Sequence, residues 1–259
     1  MENLQKIAIL IDADNTQMSK MEAVLREIST KGRIVVKRAY GNWRKDALKN
    51  WENELKRLAI KGEQQFDYVS GKNATDMALV IDAINMLYKG IYDCFVIVAS
   101  DSDYTPLAIN LHESGVYVIG VGEKKTPEAF RNSCDEFVFL ENLESSEDVK
   151  KKKTKRTKDK KEAKPEAIVE NEDAIDGDDE DMFEIHNLLH IAYDKFQDDD
   201  GYVSMAVAGQ YIKRAKPDFD PKSYGFSKLS QLIESYPYRY EVKKEKLNDS
   251  VSFFEYRCI

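Results

Sequence analysis

The chain has no long apolar run, no paired cysteine spacing and no overall excess of basic charge. Crossing a bilayer as a helix takes roughly 20 consecutive apolar residues, and no stretch approaches that length, so a membrane span is not expected. Met1–Lys6 lacks the basic and apolar regions of a secretory signal, and a cytoplasmic location is expected. The three cysteines, Cys94, Cys134 and Cys258, are far apart and odd in number. They support neither a disulfide framework nor a zinc site and read as incidental thiols in a reducing compartment. A net charge of -8 argues at first against nucleic acid, because phosphate binding rests on Lys and Arg releasing counterions.

The distribution of charge weakens that objection. Residues 1–143 carry 18 basic and 21 acidic side chains and residues 185–259 carry 11 of each, so most of the deficit lies between them. Residues 150–164 hold ten Lys or Arg, and residues 166–184 hold ten acids and no base. Neither block has enough apolar surface to offset its ordering entropy. Residues 144–181 therefore read as a charged, disordered linker between domains at 1–143 and 182–259.

The first of these domains alternates in type. Strand-like runs at Ile7–Ile11, Ile34–Tyr40, Phe66–Val69, Phe95–Ala99, Val116–Val121 and Glu136–Leu140 are separated by segments with helical spacing at Met18–Ser29, Trp43–Ile60, Asp76–Leu87 and Tyr104–Ser114. Apolar strands separated by helices predict an α/β fold with a mostly parallel sheet covered on both faces. In such sheets ligands bind beyond the carboxyl ends of the strands.

Acids stand at those ends. Asp12 follows IAILI directly, and Asp101 and Asp103 follow FVIVA through Ser100. Asp76 lies in GKNATDMALVIDA, at the start of a helix expected to pack close by. Converging carboxylates raise one another's pKa unless a cation sits among them. Mg²⁺ or Mn²⁺ suits an all-oxygen set and can activate water against a phosphodiester. Each acid alone has a structural reading, Asp101 or Asp103 as a helix cap and Asp14 as a turn residue; it is their convergence on one sheet edge that favours a site. Asp82, six residues after Asp76, falls off that helical face and reads as structural or as a support to the acids.

The segments IDADN (Ile11–Asn15), RAYGNW (Arg38–Trp43), K-x-x-T-D-M-A-L (Lys72–Leu79), VASDSDYTPL (Val98–Leu107) and EKKTPEAF (Glu123–Phe130) together resemble the NYN domain of the PIN-like nuclease superfamily, over about Lys6–Leu143. The resemblance implies a Rossmann-like PIN-type sheet and metal-dependent RNA cleavage, with Asp12, Asp76, Asp101 and Asp103 at the acidic positions. Asn15, Asp14, Ser100 and Ser102 stand beside these acids and are expected to orient them. Lys72, Arg38, Arg44 and Lys45 are the candidates for holding RNA phosphates nearby. Lys124, Lys125 and Arg131 flank a helix start at Thr126–Pro127, which reads equally as a phosphate site or a plain cap.

In residues 182–259, helical spacing at Met182–Phe196, Val203–Ile212 and Phe226–Ile233 precedes a strand pair, Tyr238–Val242 and Val251–Tyr256. Three helices and a hairpin predict a small winged helix-turn-helix. The segment 199–235, with P-x-F-x-P-x-x-Y-G at Pro217–Gly225, resembles the LOTUS domain, also called OST-HTH. That resemblance implies a module that binds RNA or a protein partner. Lys213, Arg214, Lys222 and Lys228, interleaved with Tyr211, Lys216 and Tyr224, are its candidate RNA contacts. His186 and His190 lie one helical turn apart without a third ligand and read as a surface or core pair.

Two other readings differ in class. DADNT at Asp12–Thr16 also resembles the nucleophile loop of haloacid dehalogenase-type phosphatases, in which Asp12 attacks phosphorus and Asp14 serves as acid and base. That reading leaves no room for the hairpin insert expected after the loop, and leaves RAYGNW and TPEAF unexplained. Alternatively, the chain is a catalytically silent RNA-binding adaptor, although acids facing phosphate serve no purpose in a mere binder. Oligomeric state stays open at this stage.

Overall fold

The structure, a computed structural model, describes residues 4–68, 73–143, 177–248 and 251–259. It divides near residue 150 into two compact units. In the first, strands β1 (Leu4–Asp12), β2 (Gly32–Gly41), β3 (Lys61–Gln64), β4 (Cys94–Val98), β5 (Tyr117–Gly122) and β6 (Glu136–Phe139) form one sheet in the order β3-β2-β1-β4-β5-β6. Every neighbouring pair is parallel. Helices α1 (Met21–Ser29), α2 (Trp51–Leu58), α3 (Ala74–Leu87), α4 (Thr105–Glu113) and α5 (Glu128–Asn132) cover it.

The period-two alternation of a strand assigns the two faces. Ile7, Ile9 and Ile11 of β1 pack with Val24 and Ile28 of α1 and Trp51 of α2. Ala8 and Leu10 point the other way, onto Leu79 and Ala83 of α3 and Leu111 of α4. A strand buried on both faces must be apolar at every position, which is why IAILI runs unbroken. The chain lays β1, β2 and β3 outward in one direction, then returns to place β4, β5 and β6 on the other side of β1. Between β1 and β4 the order reverses, the point at which sheets of this kind bind their ligands.

Two sequence-based elements are corrected. The helix expected over Trp43–Ile60 is confined to Trp51–Leu58, preceded by a 3-10 turn at Asp46–Leu48. Gly41 permits the difference: a Cβ there would stand 2.9 Å from Leu48 and 3.3 Å from the Trp43 ring, so the segment folds back onto the end of β2. Trp43 and Trp51, eight residues apart as on a helix, are joined instead by ring packing at 6.3 Å. The strand expected at Phe66–Val69 lies earlier, at Lys61–Gln64, where polar KGEQ pairs with β2 at the sheet edge. With a neighbouring strand on one side only, this edge strand stays largely exposed and shows no apolar pattern. Phe66 and Tyr68 follow it as exposed loop residues, and Val69 is outside the described residues.

The second unit contains α6 (Gly177–Phe196), β7 (Val203–Ser204), α7 (Met205–Ala215), α8 (Leu229–Glu234) and a hairpin of β8 (Tyr240–Asn248) and β9 (Val251–Cys258). Its antiparallel sheet has the order β7-β9-β8. Ile185 and Leu189 of α6, Ala208 and Ile212 of α7, Leu232 and Ile233 of α8, and Tyr240 and Tyr256 of the hairpin form its core. Helix α6 starts at Gly177, earlier than the Met182 expected, and α8 is shorter than the expected Phe226–Ile233. His186 is buried, its Nδ1 2.7 Å from the Tyr240 hydroxyl, while exposed His190 lies 3.2 Å from Asp194. The two histidines thus have separate partners. No described helix is long and apolar enough to cross a membrane. The rest of the segment read as a linker, 144–176, lies outside the described residues.

Candidate active site

Asp12 ends β1 and is fully buried. Alternation directs it to the face of Ala8 and Leu10, the one covered by α3. Its Oδ1 accepts from the Asp14 amide at 3.1 Å and its Oδ2 from Asn15 Nδ2 at 3.0 Å. The first turn after the strand is thereby wrapped around the carboxylate. Burial foremost pushes the Asp12 carboxyl up to about 6; the Asn15 bond pulls it back in part, and the charges of Asp76 and Asp14 raise it further.

Asp76 sits in the first turn of α3 and its Oδ1 accepts from the Tyr104 hydroxyl at 2.8 Å. Its carboxyl is raised by burial, lowered by the Tyr104 bond, and raised again by Asp101, Asp103 and Asp14. Tyr104 is itself fully buried, and burial beside the negative charges of Asp12 and Asp76 drives its hydroxyl far above its ordinary value. It therefore stays a proton donor. Asp101 caps the short turn after β4, accepting from the Asp103 amide at 3.0 Å, which is the structural role its position allows. Asp103 accepts from Asn73 Nδ2 at 2.7 Å. Ser100 Oγ accepts from the Glu123 amide at 3.0 Å and so ties the end of β4 to that of β5. Gly122 makes that approach feasible, since a Cβ there would lie 2.6 Å from the Ala99 carbonyl oxygen. Ser102 is exposed in the turn after Asp101.

The structure thus places Asp76 at the centre of the group, coupled by charge to Asp12, Asp14, Asp101 and Asp103, with Asp12 coupled to Asp14 as well. Among the described residues no three carboxylate, His or Cys groups form a ready-made coordination set. The donors available are nonetheless all hard carboxylate oxygens, the kind that Mg²⁺ or Mn²⁺ takes. The groups that hold them are mostly uncharged: Asn15, Asn73, Tyr104, and Thr75, whose hydroxyl donates to Asp14 at 2.8 Å. Tyr104, Asn73 and Thr75 were not singled out from the sequence. The signal was present, as neutral polar residues set close to acids in otherwise apolar segments.

The candidate cations divide. Lys45 reaches the cluster, 3.3 Å from Asp14 and 3.4 Å from Asp67. Arg38 is committed to Asp82 on α3 and lies 3.6 Å from Glu63, while Tyr40 also donates to Asp82, so Asp82 has the structural role expected of it. Arg44 stands 5.2 Å from the Phe66 ring. Lys125 pairs with Glu123 at 2.7 Å, and α5 behind it has only five residues. Lys72 lies outside the described residues. In the second unit, Lys213 and Arg214 occupy the last turn of α7, and Lys222 and Lys228 are exposed on the segment leading to α8. Lys216 pairs with Glu184 at 2.6 Å.

Comparison with known families matches the NYN domain to residues 6–141 and the OST-HTH/LOTUS domain to residues 183–251. The first implies a PIN-like nuclease fold from a superfamily that is generally dependent on divalent metal; the second implies an RNA-binding module. No significant match exists among curated proteins. Among solved structures, the chain is similar to a protein of unknown function from Vibrio parahaemolyticus, at 18% identity over 54% of this chain and 94% of that one, with a TM-score of 0.44. It is also similar to an uncharacterized protein from Nitrosomonas europaea, at 21% identity over 39% of this chain and 92% of that one, with a TM-score of 0.27.

Proposed function

Because this chain belongs to the NYN domain family, we propose that residues 1–143 form a ribonuclease dependent on Mg²⁺ or Mn²⁺, joined through residues 144–176 to an RNA-binding domain that starts with α6. The observation that carries the reading is the placement of Asp12 and Asp101 just at and beyond the ends of adjacent strands β1 and β4, with Asp76 coupled by charge to Asp101 and Asp103. These four acids would hold the metal. When bound, such an ion lowers the pKa of a coordinated water and offsets charge on a phosphoryl oxygen.

The chain's own groups set the stage for that chemistry. Asn15 and the Asp14 amide fix both oxygens of Asp12. Tyr104 holds one oxygen of Asp76, and Asn73 anchors Asp103. Burial of Asp12 strengthens every electrostatic term around it. Lys45 offsets Asp14 and is the cation best placed to meet an RNA phosphate. Lys213, Arg214, Lys222 and Lys228 supply the second domain's affinity for RNA, and a tether raises the effective concentration of RNA at the acids.

The test is cleavage of end-labelled single-stranded and structured RNA by the wild type and by Asp101→Asn, in Mg²⁺, in Mn²⁺ and in EDTA. Products that need metal and vanish in the variant are expected. RNA bound without products from any substrate would make the chain an adaptor instead.

A further inference from the structure

A groove of about 540 Å³ opens on the solvent side of α3, beside the acids. Met77 and Ile81, one helical turn apart, form its apolar wall, and Ala74 and Ala78 keep its floor low. Tyr68 contributes a ring that is 87% exposed, and Gln65 and Asn73, whose amide nitrogens donate to the Phe66 carbonyl and to Asp103, complete the lining with polar groups. Met77 and Ile81 are more than half exposed although α3 already buries Leu79, Ala83 and Met86 on its opposite side. The fold therefore does not need this apolar surface. Asn73 connects the groove to the acids, since its Nδ2 is bonded to Asp103 Oδ2 at 2.7 Å.

We infer that the groove is a nucleobase subsite, seating one base of a single-stranded RNA whose neighbouring phosphate lies at the acid cluster. The inference rests on the ribonuclease reading for what lies beside it, and on the groove itself for the ligand. A base is planar and apolar on its faces with hydrogen-bonding groups on its edge. It matches a lining of aliphatic side chains, an exposed aromatic ring and two amide-bearing residues better than the purely apolar face of a helix, which would leave Gln65 and Asn73 without polar partners. Arg44, 5.2 Å from the ring of Phe66, the residue after Gln65, adds a cation for the RNA backbone.

The experiment uses the full chain carrying Asp101→Asn, with a fluorescent single-stranded RNA octamer in Mg²⁺ and one abasic position moved along it. Removing the seated base should weaken binding roughly 5-fold or more, the low end of what base stacking contributes. That positional penalty should disappear in Tyr68→Ala and Met77→Ala and survive in Met77→Leu. Because Tyr68 and Met77 are exposed, their truncation leaves the core intact. A penalty unchanged in both alanine variants, or no positional penalty at all, overturns the subsite. Concentration-dependent self-association that Met77→Asp abolishes, with no positional penalty, would assign the groove to a second copy of the chain and overturn it as well. Binding needs no turnover, so a positional penalty without cleavage by the wild type removes the ribonuclease reading and leaves the subsite standing.

Discussion

In the absence of divalent cations, lowering the pH from 8 to 5 should stabilise the first domain, contrary to ordinary acid denaturation. The cause is Asp12, whose carboxyl titrates at about 6 in the fold against 3.8 when unperturbed. A raised value means the folded state binds the proton more tightly than the unfolded chain does. Stability therefore falls as pH rises through the window from about 4 to about 6, and above it the whole penalty is present, about 3 kcal/mol for a shift of this size. Titrating to pH 5 recovers about 1.4 kcal/mol of it, which is a rise in Tm of roughly 3 to 5 °C for a domain of this size. The assay is thermal unfolding in EDTA at pH 8 and pH 5, comparing the wild type with Asp12→Asn. The variant removes this one titration while other groups titrate in both, so the difference between the two profiles is the signal. At pH 8 a divalent ion bound at the acids should restore the lost stability in the wild type and leave Asp12→Asn unmoved. Parallel wild-type and variant profiles between pH 8 and 5 would refute the argument that burial and neighbouring acids dominate at Asp12.

Three further outcomes follow from the geometry. Tyr104→Phe deletes the hydroxyl that donates to Asp76 at 2.8 Å; it should cost about 1 to 2 kcal/mol in urea unfolding and weaken Mn²⁺ binding in a calorimetric titration, and unchanged values for both would mean that the bond is idle. Gly122→Ala drives a methyl to 2.6 Å from the Ala99 carbonyl oxygen, and a loss of about 1 to 3 kcal/mol is expected in the same unfolding assay, from overpacking where β4 and β5 end. In the second domain, burial first and the positive charge of Arg239 second hold His186 down at about 4 against 6.5. Its neutral form is favoured in the fold, so this stability is present above pH 6.5 and is lost as pH falls toward 4, about 2 kcal/mol of it by pH 5. Hydrogen exchange across residues 185–256 should therefore accelerate from pH 7.5 to 5 relative to intrinsic rates, and His186→Phe should flatten the change.

The legibility of the fold followed burial. IAILI and FVIVA are apolar at every position because each is covered on both faces, and each announced both its strand and the acid beyond it. Polar KGEQ at the sheet edge carries no strand signal, whereas the aromatics after it do. The segment after β2 carries helical spacing at Trp43 and Trp51, yet Gly41 lets it fold back, a tertiary contact that spacing cannot express. At the site, carboxylates stood out because charge beside a buried strand demands a reason. Tyr104, Thr75 and Asn73 did not, because neutral polar groups are common in any loop and their partners are 28, 61 and 30 residues away in sequence. Arg38 read as a phosphate ligand for the same reason in reverse: its partner Asp82 is 44 residues distant.

The chemical character of the clamps on the acids bears on regulation. Arginines in place of Asn15, Asn73 and Tyr104 would fix the same carboxylates and also cancel their charge, leaving a closed and permanently satisfied network. Amides and hydroxyls fix direction and leave the charge standing. A site built this way is rigid in shape but open in charge, and under the proposed function its readiness follows the free divalent ion concentration around it. Such a site would then be set by its ionic surroundings before any RNA arrives.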